Sequence, residues 1–233
     1  MRFPIGRLHD LLRRFGYEIT PLPVDRLLRR QPDVILDVGA NEGQFGRDLR
    51  RRGFEGRIVS FEPIPQVFAR LRTAAQGDAD WAIHNEALGA ERTRLPIHVA
   101  NHDASSSLLP PSERMDTFAG FLEFDASSEV DVARLDDRID TLCAPGDRVA
   151  MKVDVQGYES AVLDGAESTL GRLDALLLEL SFTPLYEGEP PIEDVIARLR
   201  TSGFAPAYIA PAFVQRPSRR WIQADVLFIR DDA

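Results

Sequence analysis

The sequence predicts an α/β fold built on an open, mostly parallel sheet with helices on both faces. Three observations carry that expectation. The run Val34-Ile35-Leu36-Asp37-Val38 is apolar enough for a strand buried on both faces. It enters a small-residue turn with glycines at 39 and 43, followed by a helical pattern. A strand, turn and helix in that order bring backbone close to a ligand at the carboxyl edge of a sheet. Two later apolar runs, Val149–Val155 and Ala175–Leu180, each carry an acid near the carboxyl end, Asp154 and Glu179.

Before the first strand, Leu8, Leu11, Leu12 and Phe15 fall at helical spacing over residues 7–15, and Gly16 stops the pattern. Pro21 and Pro23 then form a stiff connector to a short helix from Val24 to Arg30. Residues 1–31 read as a helical extension, and 32–233 as one domain of ordinary size. After the first turn, Gln44–Arg52 predicts a helix with Phe45 and Leu49 four apart and a basic end that suits its C-terminus. Arg57–Phe61 predicts the second strand, Gln66–Gln76 a helix behind Pro63 and Pro65, and Trp81–Ala87 the third strand.

Residues 90–148 interrupt the strand–helix rhythm. Leu95–Val99 predicts a short strand, Asn101–Pro111 a polar loop, and Glu129–Ala133 another alternating segment. An insertion this long is more often functional than not, and it reads as part of an acceptor pocket. Beyond it come the strand 149–155, a helix reaching Leu170, the strand 175–180 and a helix from Ile192 to Ser202. Residues 207–210 and 223–229 close the sheet, the last strand antiparallel.

Bulk properties narrow the function. The apolar fraction is 44%, ordinary for a globular chain. A single cysteine, Cys143, excludes an internal disulfide framework and a cysteine-only zinc site, and suggests a reducing, cytoplasmic setting. No apolar run approaches the roughly 18 residues of a membrane span, and no apolar signal segment opens the chain. Net charge is −9, which argues against a nucleic-acid partner, although residues 1–52 hold 11 arginines against 7 acidic residues. Assembly into a homo-oligomer remains open.

The turn is not a dinucleotide fingerprint, because Ala40-Asn41 stands where G-x-G-x-x-G needs its second glycine. That counts against a nicotinamide-dependent dehydrogenase. An acid inside the strand end, Asp37, is wrong for a phosphate and right for a ligand with ammonium or sulfonium charge. Glu62 ends the second strand 25 residues beyond Asp37, where an acid accepts hydrogen bonds from both ribose hydroxyls.

Three stretches resemble the FkbM family of S-adenosylmethionine-dependent methyltransferases: Asp37-Val-Gly-Ala-Asn-Glu-Gly43, Met151-Lys-Val-Asp-Val-Gln-Gly-Tyr-Glu159 and Gln223-Ala-Asp-Val-Leu-Phe228. Ser60-Phe-Glu-Pro63 and Leu135-Asp-Asp137 fit the same pattern, and Gln156 departs from it where many relatives carry glutamate. The resemblance runs from about Pro32 to Arg230. It implies a Rossmann-like, seven-stranded class I methyltransferase sheet that binds S-adenosylmethionine. It also implies O-methylation of a small-molecule acceptor, commonly a sugar or a natural product.

On that reading Asp37, Gly39, Asn41, Gly43, Glu62, Glu86 and Ala87 are expected at the cofactor, the last two beside the adenine. Asp154 is the expected general base, acceptor ligand or metal ligand; otherwise it is a structural acid holding the turn at Gly157. Lys152, the only lysine in the chain, lies on the same strand face as Asp154 and could neutralise it or polarise the acceptor. Glu179 could pair with Asp154 around a divalent cation, although two carboxylates are too few to commit to a metal. His102 in the insertion is an alternative base, His84 a core residue, and Asp225 an acceptor-facing acid on the last strand. A non-catalytic cofactor- or partner-binding module is the competing reading.

Overall fold

In a computed structural model the described residues are 14–15, 20–100, 105–119, 123–215 and 218–231. Residues 7–13 of the predicted helix and His102 lie outside them.

Seven strands form the main sheet. They are β1 (Val34–Val38), β2 (Arg57–Phe61), β3 (Trp81–His84), β7 (Val149–Val153), β8 (Leu173–Ser181), β9 (Phe204–Val214) and β10 (Trp221–Arg230), in the order β3-β2-β1-β7-β8-β10-β9. β10 is antiparallel to both neighbours, and the β3-β2-β1-β7-β8 stretch is parallel. Chain order reverses between β1 and β7, the kind of switch point at which open α/β sheets bind ligands. The remaining strands, β4 (Ala87–Leu88), β5 (Thr93–Ala100) and β6 (Phe124–Ala133), form a second sheet in the order β4-β6-β5.

Period-two alternation sorts the central strands onto two faces. Ile35, Ala150, Ala175, Leu177 and Leu227 meet Leu49, Leu71, Val24 and Leu27 on one side. Leu36, Met151, Leu176 and Leu178 meet Val162, Leu163, Val195 and Leu199 on the other. Val24 and Leu27 belong to the short helix Pro23–Leu28, so this helix is part of the main core.

Three expectations are corrected. The strand expected over 81–87 breaks after His84, where the Asn85 side chain donates to the carbonyls of Glu62 and Pro63 at 2.9 and 3.0 Å. Ala87 and Leu88 then pair with β6 instead. The helix expected to reach Leu170 spans only Glu159–Asp164, and a 3-10 turn follows at Thr169–Arg172. A side chain at Gly165 would collide with Gly89, since a Cβ there would lie 1.9 Å from the Gly89 carbonyl oxygen. The chain changes direction where only glycine fits. Last, β9 is far longer than the expected 207–210. Pro206 and Pro211 obscured it, yet both are tolerated because β9 is an edge strand.

Candidate active site

The carboxyl ends of β2, β1, β7 and β8, together with Asp225 on β10, surround a cavity of about 480 Å³. The insertion closes one wall with Ile97, Ser106, Ser107 and Leu108.

At the β2 end stands Glu62, 5% exposed. Its Oε2 accepts from the Asn41 amide at 3.0 Å and its Oε1 from the Ile64 amide at 2.8 Å. Burial pushes its carboxyl up to about 7 against these two donors. Asn41 adopts φ 48, its own carboxamide accepting from the Glu42 amide, and this fold of the turn brings residues 39–41 to the cavity wall. Gly39, at φ 77, allows the closest approach: a Cβ there would lie 1.9 Å from the Asp154 carbonyl oxygen. Only glycine lets the β1 turn and the end of β7 meet.

Lys152 occupies the floor of the cavity. Its ammonium donates to the Gly39 carbonyl at 3.2 Å and lies 3.2 Å from Asp154 Oδ2, 3.6 Å from Asp37 Oδ1 and 5.7 Å from the centre of the Phe45 ring. Burial alone would lower its pKa, but Asp154 and Asp37 outweigh it and hold the ammonium above its usual value. Gln156, at φ 56, donates through one amide nitrogen to Asp154 Oδ1 at 2.9 Å and Glu179 Oε2 at 2.6 Å. Burial, then Asp154, pushes the Glu179 carboxyl well up, and the same two causes bring Asp225 to about 6. Asp225 is the register partner of Glu179 across β8 and β10, which completes the acidic end.

Several expected residues are not at the cavity surface. Asp37 is fully buried below it, accepting from Ser60 Oγ at 3.1 Å, while Ser60 accepts from Trp81 Nε1 at 3.0 Å. Asp37 lies 3.6 Å from the Lys152 ammonium, inside the protein and not on the cavity wall. Gly43 starts the helix Gln44–Arg51 at φ 80 and faces Leu71, Ala74 and Trp81, away from the cavity. Glu86 turns to Arg138 at 2.6 Å, whereas its neighbour Ala87 does line the cavity. His84 stacks on Phe61 with ring centres 5.1 Å apart, and burial lowers its pKa. Glu159 holds the turn, accepting from the amides of Val155 and Gly157 at 3.0 and 3.2 Å.

Sequence reasoning missed the wall formed by Leu22, Pro23 and Val24, and the contacts that fasten the insertion. Ser107 donates to the Gln156 carbonyl at 2.6 Å, and Tyr186 donates to the Ser105 carbonyl at 2.9 Å. Three consecutive serines beside two prolines were a visible signal of an ordered loop, but nothing in them named Gln156 as their partner.

The methyltransferase FkbM domain matches residues 37–206. The chain belongs to the FkbM methyltransferase family. It is therefore an S-adenosylmethionine-dependent methyltransferase, with the mixed seven-stranded sheet of class I members. The 2-O-methyltransferase NoeI of Sinorhizobium fredii is 28% identical over 180 residues, covering 73% of this chain and 72% of NoeI. Methyltransferase 1 of Beauveria bassiana is 24% identical over 222 residues, covering 90% and 81%. Among solved structures, the magnesium protoporphyrin IX methyltransferase ChlM from Synechocystis PCC 6803 with bound S-adenosylmethionine superposes with a TM-score of 0.47 at 11% identity, covering 84% of this chain and 69% of ChlM.

The cavity fits this cofactor. A buried carboxylate at one end keeps lone pairs free for a diol, Phe61, Ile64 and Leu88 offer apolar walls for a flat base, and the volume suits a small ligand. Among the described residues, no group of three or more His, Cys, Asp and Glu side chains is placed to hold a metal ion.

Proposed function

We propose that the chain methylates a hydroxyl oxygen of a small polyhydroxylated acceptor, a sugar or natural product. The carrying observation is the pair of unlike ends of one cavity, a single backbone-held carboxylate at β2 and a side-chain-held acid cluster at β7, β8 and β10. S-adenosylmethionine supplies an electrophilic methyl group and leaves as S-adenosylhomocysteine. Glu62 would accept from the ribose hydroxyls, with the backbone of Gly39 to Asn41 and the side chain of Ala87 completing that end.

The remaining work falls to the acceptor end. A hydroxyl is a poor nucleophile, and a base within hydrogen-bond reach removes its proton as the new oxygen–carbon bond forms. Asp154 is that base: it lines the cavity, and Lys152 and Gln156 fix one oxygen each. Lys152 and Glu179 act beside it, Lys152 by charge and Glu179 as a second carboxyl at the acceptor, raised above its ordinary range by burial and by Asp154. Alignment of this kind is worth roughly 7–11 kcal/mol of barrier. The name of the NoeI relative supports transfer to oxygen.

The test is incubation with methyl-labelled S-adenosylmethionine and a panel of uncharged sugars and hydroxylated natural products, followed by fragmentation of the products. Label on oxygen is expected. Label on nitrogen or carbon would overturn the reading, and cofactor binding without turnover on any acceptor would favour the non-catalytic module.

A further inference from the structure

The segment before β1 does more than cover the sheet. Leu22, Pro23 and Val24 line the same cavity as Asp154, Glu179 and Asp225. The helix that starts at Pro23 packs on β8, β9 and β10, so these three residues stand at the acidic end, opposite Glu62. The cavity reaches across five strands, from β2 through β1, β7 and β8 to β10. At about 4.8 Å between neighbours, that separates its two ends by roughly 19 Å.

The segment is fastened in place. Thr20 Oγ1 and the Tyr208 hydroxyl are 2.6 Å apart, and the Arg26 guanidinium lies 4.2 Å from the centre of the Tyr208 ring. Asp25 accepts from the Leu22 amide at 3.2 Å and pairs with Arg52. Leu22 is nonetheless 53% exposed, an apolar side chain held at the cavity rim with surface to offer.

The ionisable side chains lining the cavity are lopsided. Among the described residues they comprise Glu62, Asp154, Glu179 and Asp225 against one cation, Lys152, and no arginine. Lys152 is already engaged by Asp154 and Asp37. A phosphate or carboxylate on the acceptor would find no unengaged cation in that lining to bind it. Leu177 and Phe45 continue the apolar lining beside the acids.

We infer that Leu22, Pro23 and Val24 form an acceptor-binding wall, which with the acidic lining selects an uncharged acceptor carrying an apolar face beside its reacting hydroxyl. The inference rests on the methyl-transfer reading of this cavity, and it makes Leu22 and Val24 specificity-determining residues outside the matched family domain at 37–206.

The experiment titrates enzyme saturated with S-adenosylhomocysteine, first with octyl glucoside below its micellar concentration and then with glucose 1-phosphate. The glucoside is expected to bind at least tenfold more tightly than the phosphate ester. Leu22→Glu, at an exposed position, is expected to weaken the glucoside at least tenfold while S-adenosylhomocysteine affinity and melting temperature stay unchanged. Val24→Thr, which keeps the side-chain shape, should give a smaller loss in the same direction. Equal binding of the two ligands, no binding of the glucoside, or glucoside binding indifferent to Leu22→Glu would overturn the inference. The two readings fail separately: no S-adenosylhomocysteine binding sinks the cofactor site, whereas retained S-adenosylhomocysteine binding with an indifferent Leu22→Glu sinks the wall alone.

Discussion

The two ends of the cavity hold their carboxylates by different means. Glu62 is gripped by the backbone amides of Asn41 and Ile64, whose positions follow from the path of β1 and β2. Asp154 and Glu179 are held by side chains, Lys152 and Gln156, and so depend on the identity of two residues. A backbone grip survives most side-chain changes around it. A side-chain grip is lost with one substitution, and where it is buried it leaves charges uncompensated.

The sharpest way to break this comparison is Asp154→Asn. It is expected to lower turnover by about 10²–10⁴-fold and to leave S-adenosylhomocysteine affinity intact, as read by steady-state kinetics and calorimetry. A matching loss of cofactor affinity would show that the two ends are not separate. Lys152→Met comes next, and should cost roughly 3–5 kcal/mol of stability because Asp37 stays buried without its cation. Adding Asp37→Asn should restore part of that in denaturant unfolding; additive losses in the double variant would contradict the internal ion pair.

Glu62→Ala is a smaller effect at the other end. It removes charge-assisted hydrogen bonds worth about 1.5–3 kcal/mol, so S-adenosylhomocysteine should bind roughly ten- to hundredfold more weakly to a folded protein.

The mildest expectation concerns pH. Glu62 near 7, Asp225 near 6 and Glu159 near 8 all sit above the ordinary carboxylate range because they are buried. Between that range and these values the folded ligand-free chain keeps protons that the unfolded chain releases. Their contribution to stability is therefore full at low pH and is lost as pH rises through about 6 to 8. Asp33, held down to about 2 by Arg148, works in the opposite sense but only at more acidic pH. Urea midpoints should fall between about pH 5 and pH 8, with a shallower fall in Glu62→Ala; a rising midpoint would contradict the buried acids.

The backbone-held end was the more legible in the sequence. An apolar run, a glycine turn and an acid closing the next strand are local signals, and local signals placed Glu62, Gly39 and Asn41 at the cavity. The side-chain-held end needs register. Asp37 and Lys152 come together only because β1 and β7 pair in parallel with these residues opposite each other. Their separation in sequence conceals that pairing. Gln156 acts from a left-handed backbone position that no propensity marks for a glutamine. Ala87 and Leu88 form a strand too short to announce itself, so the second sheet was hidden inside what read as an insertion. Leu22 to Val24 carry two apolar residues around a proline and read as a connector, because their value lies in what they face.

The most direct test of the two-ended cavity is calorimetric titration of S-adenosylhomocysteine into the wild-type protein, Glu62→Ala and Asp154→Asn, with NAD as a control ligand. Micromolar binding to the wild type and Asp154→Asn, a marked loss in Glu62→Ala, and no binding of NAD are expected. Unchanged affinity in Glu62→Ala, or binding of NAD in place of S-adenosylhomocysteine, would contradict the account.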